Sequence, residues 1–164
     1  METYYDEKQN IIEKEIDDID FDLLITASMN KYVCSSKEHP ILGTYALATC
    51  IGIIIYDDYG NFNLAHIASE YELIIKRMVK NMKNTNPIKV IIIPGYYTRV
   101  ETIYEIIEYL KSRENFLYYD FEIEIKILKN YINEELPSIE FAFDTRTKEF
   151  IKPDYDKYLK ERGR

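Results

Sequence analysis

Between Gly43 and Ala68 two strand-like runs flank a five-residue turn, and this stretch limits the possible folds more than any other. Ala46 to Tyr56 is almost wholly apolar and rich in isoleucine, so it reads as a strand covered on both faces, with Phe62 to Ala68 as its partner. Asp57-Asp58-Tyr59-Gly60-Asn61 between them is hairpin-loop chemistry. With Asp58 and Tyr59 in a type I turn and Gly60 in the left-handed position of a G1 bulge, Asp57 pairs with Asn61 and Cys50 falls opposite Ala68. Cys50 and His66 are then diagonal neighbours on one face, roughly 7 Å or less apart at their Cβ atoms. A slip of one residue would separate them.

A thiol is a useful nucleophile only as a thiolate, and a histidine at hydrogen-bonding distance both promotes ionisation and can later protonate a leaving group. Cys50 and His66 fit that chemistry. A buried cysteine acting as a small hydrophobe is the competing reading for Cys50. An imidazole between Leu64 and Ala68 on a strand face is costly unless it is hydrogen-bonded, which favours a partner for His66. Cys34 and His39, five residues apart with no further ligand nearby, do not make a metal site. A metal module combining them with Cys50 and His66 fits no standard ligand spacing.

At 164 residues, 46% hydrophobic and 30% charged, the chain suits one globular domain with a proper core. A net charge of -8 argues against binding a phosphate backbone, so nucleic acid is not an expected partner. No apolar run reaches the length of a membrane span, and the first residues lack signal-peptide order, so the expected location is cytoplasmic, without membrane insertion. The two cysteines, Cys34 and Cys50, are then expected as free thiols.

Residues 1–38 read as an acidic N-terminal extension, 39–152 as the main domain and 153–164 as a charged C-terminal tail. In the extension, Ile11, Ile12, Ile16 and Ile19 form a narrow helical stripe, Phe21 to Thr26 reads as an edge strand, and Ser28 to Pro40 as a loop. Because the strands and helices from Ile41 onward have their own core faces, the domain is expected to fold without residues 1–36. Ser69-Glu70-Tyr71-Glu72 and Thr98-Arg99-Val100-Glu101 read as capping boxes. Each opens a helix, one buried through Tyr71, Ile74, Ile75, Met78 and Met82, the other through Ile103, Ile106, Ile107 and Leu110. Strands are expected at Ile88 to Ile93, Glu122 to Leu128, Ile139 to Phe143 and Glu149 to Ile151. That order predicts an α+β fold, a mixed β-sheet or sandwich flanked by helices.

Gly-Thr-Tyr-Ala-Leu-Ala-Thr-Cys-Ile-Gly from Gly43 to Gly52, followed by Leu-Ala-His-Ile from Leu64 to Ile67, resembles the signature of the CheD family, the chemoreceptor glutamine deamidases. The usual pattern there is threonine, five residues, cysteine within Leu-Gly-Ser-Cys, then Gly-Gly-Met-x-His. Thr44, Cys50 and His66 match the family's catalytic residues in order and approximate spacing, and the likeness runs roughly from Ile41 to Lys152. Toxins of the cytotoxic necrotizing factor type share the constellation. The resemblance implies a CheD-like fold and a hydrolase, a protein-glutamine deamidase serving chemotaxis, that needs no cofactor. It gives Cys50 the role of nucleophile, His66 that of acid and base, and Thr44 that of orienting the imidazole. The implied partners are chemoreceptor cytoplasmic domains and a CheC-type phosphatase.

The sequence departs from the family in its glycines. Leu-Gly-Ser-Cys is here Leu-Ala-Thr-Cys, Phe62-Asn63 stands for Gly-Gly, and Pro94-Gly95-Tyr96 for a later Gly-Gly-Ala. Glu135-Leu136-Pro137 stands where the family has Gly-Gly-x-Arg. A non-catalytic binding protein of the same fold, docking on chemotaxis components, is the rival reading. On a straight strand Thr44 would lie roughly 20 Å from Cys50, at about 3.3 Å per residue, so a shared site requires a bend where Tyr45-Ala46-Leu47-Ala48 shows no turn signal.

Overall fold

The computed structural model describes residues 19–83, 87–128 and 131–162. Their strands are β1 (Leu24–Thr26), β2 (Lys31–Cys34), β3 (Ile41–Leu47), β4 (Ile51–Tyr56), β5 (Phe62–Ile67), β6 (Ile88–Pro94), β7 (Phe121–Ile125), β8 (Ile132–Asn133), β9 (Ser138–Asp144) and β10 (Glu149–Ile151). The α-helices are α1 (Tyr71–Lys80), α2 (Val100–Lys111) and α3 (Tyr155–Glu161). The strands form two mixed sheets, so the fold is α+β. The first sheet runs β1-β3-β9-β10, with β8 also on β9; the second runs β2-β5-β4-β6-β7.

The β4–β5 hairpin has the register its turn residues dictate. Ile51 pairs with Ile67 and Gly52 with His66, which continues to Cys50 opposite Ala68. The Asp57 amide donates to the Asn61 carbonyl, and Gly60 has φ +85° in the left-handed region that glycine enters without strain. The Asp57 carboxylate closes the turn by accepting from the Tyr59, Asn61 and Lys83 amides.

Alternation then sorts the side chains into layers. Ile54, Leu64 and Ile93 of the second sheet meet Leu42, Phe141 and Phe143 of the first in a dry inter-sheet core. Ile53, Ile55, Ala65 and Val90 point the other way, against Ile75 and Met78 of α1 and Ile106 and Ile107 of α2. The outer face of the first sheet packs Ile41 and Ala142 against Tyr155 of α3, whose hydroxyl donates to the Phe141 carbonyl. β6 and β7 are parallel, which requires the crossover that α2 supplies.

Several expectations change. Residues 31–34 are a strand: β2 pairs with β5 from Lys31↔His66 to Cys34↔Asn63, where a loop was read. Half-exposed on an edge, it shows no alternation to read. β1 pairs in parallel with β3, so strands from within residues 1–38 belong to both sheets. Phe21–Leu23 is a 3₁₀ turn ahead of β1. Neither expected capping box forms: the N-caps are Glu70 and Arg99, without side-chain capping bonds. The Ser69 hydroxyl is engaged by Asn30 and that of Thr98 by the Cys50 carbonyl. Ile11, Ile12 and Ile16 of the expected stripe lie outside the described residues; Ile19 is buried beside Leu24. Among the described residues no helix is long and apolar enough to cross a membrane.

Candidate active site

The inter-sheet layer brings Thr44 and His66 together. Thr44, on β3 of the first sheet, shares the inward face with Leu42; His66, near the end of β5 in the second, shares it with Leu64. The Thr44 hydroxyl oxygen lies 2.8 Å from His66 Nδ1 and 2.9 Å from the Ala27 carbonyl oxygen. A hydroxyl has one proton, and the carbonyl can only accept it. Thr44 therefore donates to Ala27 and accepts from Nδ1–H, which fixes the imidazole tautomer and leaves the Nε2 lone pair free. Nε2 is buried and has no hydrogen-bond partner, while His66 as a whole is 4% exposed.

The turn between β1 and β2 clamps this histidine from the chain's far side. Asn30, at φ +58°, donates its amide to the His66 carbonyl over 2.7 Å. Its side-chain oxygen accepts from the Ala68 and Ser69 amides, each at 3.0 Å. Sequence reading placed these residues in a loop and assigned them nothing. Asparagine's tolerance of the left-handed region was the available signal.

Cys50 is reached from Thr44 through a sharp change of direction. Thr44 pairs with Phe141 and Leu47 with Ile139, so β3 has one residue more than β9 across this interval, a β-bulge. Ala46 has φ +60° there, and the Ala48 amide donates back to the Ala46 carbonyl. The bulge keeps both Thr44 and Leu47 facing inward. It also turns the carbonyls of Leu47, Ala48 and Cys50 toward the loop after β6, where they accept from the Tyr96, Tyr97 and Gly95 amides respectively. A Cβ on Gly95 would lie 2.5 to 2.6 Å from all three oxygens, so only glycine fits. Thr98 completes the fastening: its hydroxyl donates to Cys50 O at 2.7 Å and accepts from the Gly95 amide at 2.7 Å. Gly95 and Thr98 thus set the position of Cys50, a role the sequence analysis gave to neither: it read Gly95 as a departure from the family's glycines and Thr98 as a helix cap.

Cys50 lies one step before β4 on the same face as His66, diagonal to it across Gly52, and is 6% exposed. Burial pushes its thiol pKa up, against a smaller opposing effect of the Thr49 side chain hydrogen-bonded to it. Burial pushes His66 down. The resting pair is a thiol and a neutral imidazole, not joined by a hydrogen bond. Cys34, also a free thiol, sits on β2 and bonds the Asn63 side chain at 3.0 Å, away from this cluster. His39 donates its amide to the Ser36 hydroxyl. Among the described residues no three His, Cys, Asp or Glu side chains converge as metal ligands.

Two facing mixed sheets with helices on both outer surfaces, and a threonine–histidine contact bridging them beside a cysteine, define the class of structure. No family model matches the chain, and no curated protein sequence does.

Proposed function

We propose that the protein is a cysteine-dependent protein-glutamine deamidase of the CheD kind, acting on chemoreceptor cytoplasmic domains in the cytoplasm. The observation that carries the reading is the buried Thr44–His66 bond, which leaves the Nε2 lone pair unpartnered on the face shared with Cys50. A lone pair kept free in a buried site is costly as structure and useful as a base.

Since thiol and imidazole rest uncharged, the reaction begins with proton transfer from Cys50 to Nε2 as sulfur attacks the side-chain amide carbon. Thr44 supports the resulting imidazolium by accepting from Nδ1–H. A trans peptide sets N–H opposite C=O, so with the Ala48 carbonyl held by Tyr97 the Thr49 amide faces away from that loop. It is our choice of oxyanion donor. Nε2–H then protonates the departing ammonia, leaving a thioester. Water deprotonated by Nε2 attacks the thioester, glutamate is released, and the sulfur recovers its proton. No step calls for a cofactor.

Incubation with a chemoreceptor cytoplasmic fragment, followed by peptide mapping, is expected to find glutamines converted to glutamates. Cys50→Ala and His66→Ala should both abolish conversion. The rival reading, a non-catalytic protein docking on a CheC-type phosphatase, draws on the missing Cys50–His66 hydrogen bond. Failure to convert any glutamine at high protein concentration, with stoichiometric binding of such a phosphatase, would establish that reading instead.

A further inference from the structure

The bulge at Ala46 is also the floor of a groove. On the outer side of the first sheet a cavity of about 470 Å³ opens between α3 and the β8–β9 turn, floored by Tyr45, Ala46 and Ala48. Its walls are mostly apolar: Tyr155 and Leu159 of α3 on one side, Leu136 and Pro137 on the other. Tyr97, 58% exposed, stands at its end, and Leu136, 75% exposed, at its rim. The floor is covalently continuous with Thr44 on one side and Cys50 on the other, and Tyr97 belongs to the loop that holds the Cys50 carbonyl.

Two carboxylates face into this apolar space, Glu140 opposite the bulge and Asp156 on α3. Glu140 is half-buried. Its carboxyl pKa is raised, first by burial and then by Asp156, with Asp154 adding and Lys152 and an Asn133 hydrogen bond subtracting. Such a site favours a cation brought from outside, in keeping with the chain's net charge of -8.

We propose that this groove docks a segment of the protein substrate in which an apolar side chain is flanked by lysine or arginine, the apolar group seated over Ala46 and the cation against Glu140 and Asp156. The inference rests on the deamidase reading, since it assigns the substrate determinant of that same site. It also provides for release: the new glutamate carries a negative charge toward an acidic groove, which shortens the life of the product complex.

The test uses two fluorescent helical peptides with the same leucine stripe and one glutamine, differing only in lysine or glutamate beside the stripe. Binding to the full chain is measured by anisotropy, and conversion of the same peptides by mass spectrometry. The lysine peptide is expected to bind roughly tenfold more tightly at low salt, and the difference to collapse in Glu140→Gln/Asp156→Asn. Leu136→Glu, at an exposed position that does not bear on folding, should weaken both peptides. Equal binding, no binding of either peptide, or a lysine preference that survives both variants would overturn the groove assignment. Conversion without lysine preference would remove the groove and keep the deamidase. Lysine-dependent binding without conversion, there or on receptor fragments, would keep the groove and remove the deamidase.

Discussion

His66 makes the site sensitive to pH in a way that can be read as stability. Its folded pKa is depressed, so the unfolded chain takes up a proton, near pH 6.5, that the buried imidazole refuses. Stability should therefore fall as pH drops below about 6.5, and His66→Gln should remove that slope. Glu140, raised in the fold, acts in the opposite sense, so the difference between the two proteins' denaturation curves isolates His66. Asp57 enters only lower: burial would raise it, but hydrogen bonds from the Asn61 side chain and the Lys83, Asn61 and Tyr59 amides outweigh that and depress it. Its contribution is lost as pH falls below the ordinary carboxylate range. Thr44 can be tested by shape. Thr44→Val strips a hydrogen bond from Nδ1–H and from the Ala27 carbonyl and should cost about 2 to 3 kcal/mol by urea denaturation. Activity should drop about 10- to 100-fold, and Thr44→Ser should restore most of both. The Cys50–His66 juxtaposition was legible because a two-residue period and a turn with its own chemistry fix which side chains share a face. The charge state was not: burial depends on the facing sheet. In a Cys34→Ser background, iodoacetamide should alkylate Cys50 with an alkaline midpoint, above that of an ordinary thiol.

At the scale of elements, the conformation that joins Thr44 to Cys50 is strained. A left-handed alanine costs about 1 to 2 kcal/mol, and glycine gives back about half of that in lost chain freedom. Ala46→Gly should thus raise stability by about 0.5 to 1 kcal/mol, seen as a higher urea midpoint at unchanged slope. Gly95→Ala should do the reverse and far more strongly, because a methyl cannot coexist with three carbonyl oxygens at 2.5 to 2.6 Å. The helices' buried faces were readable from the 3.6-residue period, as Ile103, Ile106 and Ile107 show. Their caps were not, because a serine or threonine hydroxyl serves whichever neighbour tertiary packing brings, here Asn30 and the Cys50 carbonyl. The bulge was invisible for a related reason: alanine carries no turn preference, and Ala46 is held left-handed by what lies on either side. Leu47 must face the core, and the carbonyls after it must meet the Gly95 loop.

For the whole molecule, the N-terminal strands alter what truncation does. Composition sets residues 1–38 apart, yet β1 covers one edge of β3 and β2 one edge of β5. Deleting residues 1–36 removes both, together with the carbonyl that orients Thr44 and the asparagine that clamps His66. Thermal unfolding of that truncation is expected to show a broadened or absent transition, with aggregation through the bared strand edges. Sequence reasoning expected the opposite because short edge strands bury little and so leave little pattern.

The order of strands along the chain also dictates when the site can exist during synthesis. Every strand of the second sheet has been made by residue 125, so Cys50 and His66 can take their places while the C-terminal part is still on the ribosome. Thr44 cannot. β1 is made early enough to pair with the first half of its strand, but β9, whose register defines the bulge between Thr44 and Leu47, comes nearly a hundred residues later in the chain. On the deamidase reading, a nascent chain would hold its thiol and imidazole before the bulge that leads from Thr44 to Cys50 is locked, and the site would be completed only as the last strands close over it.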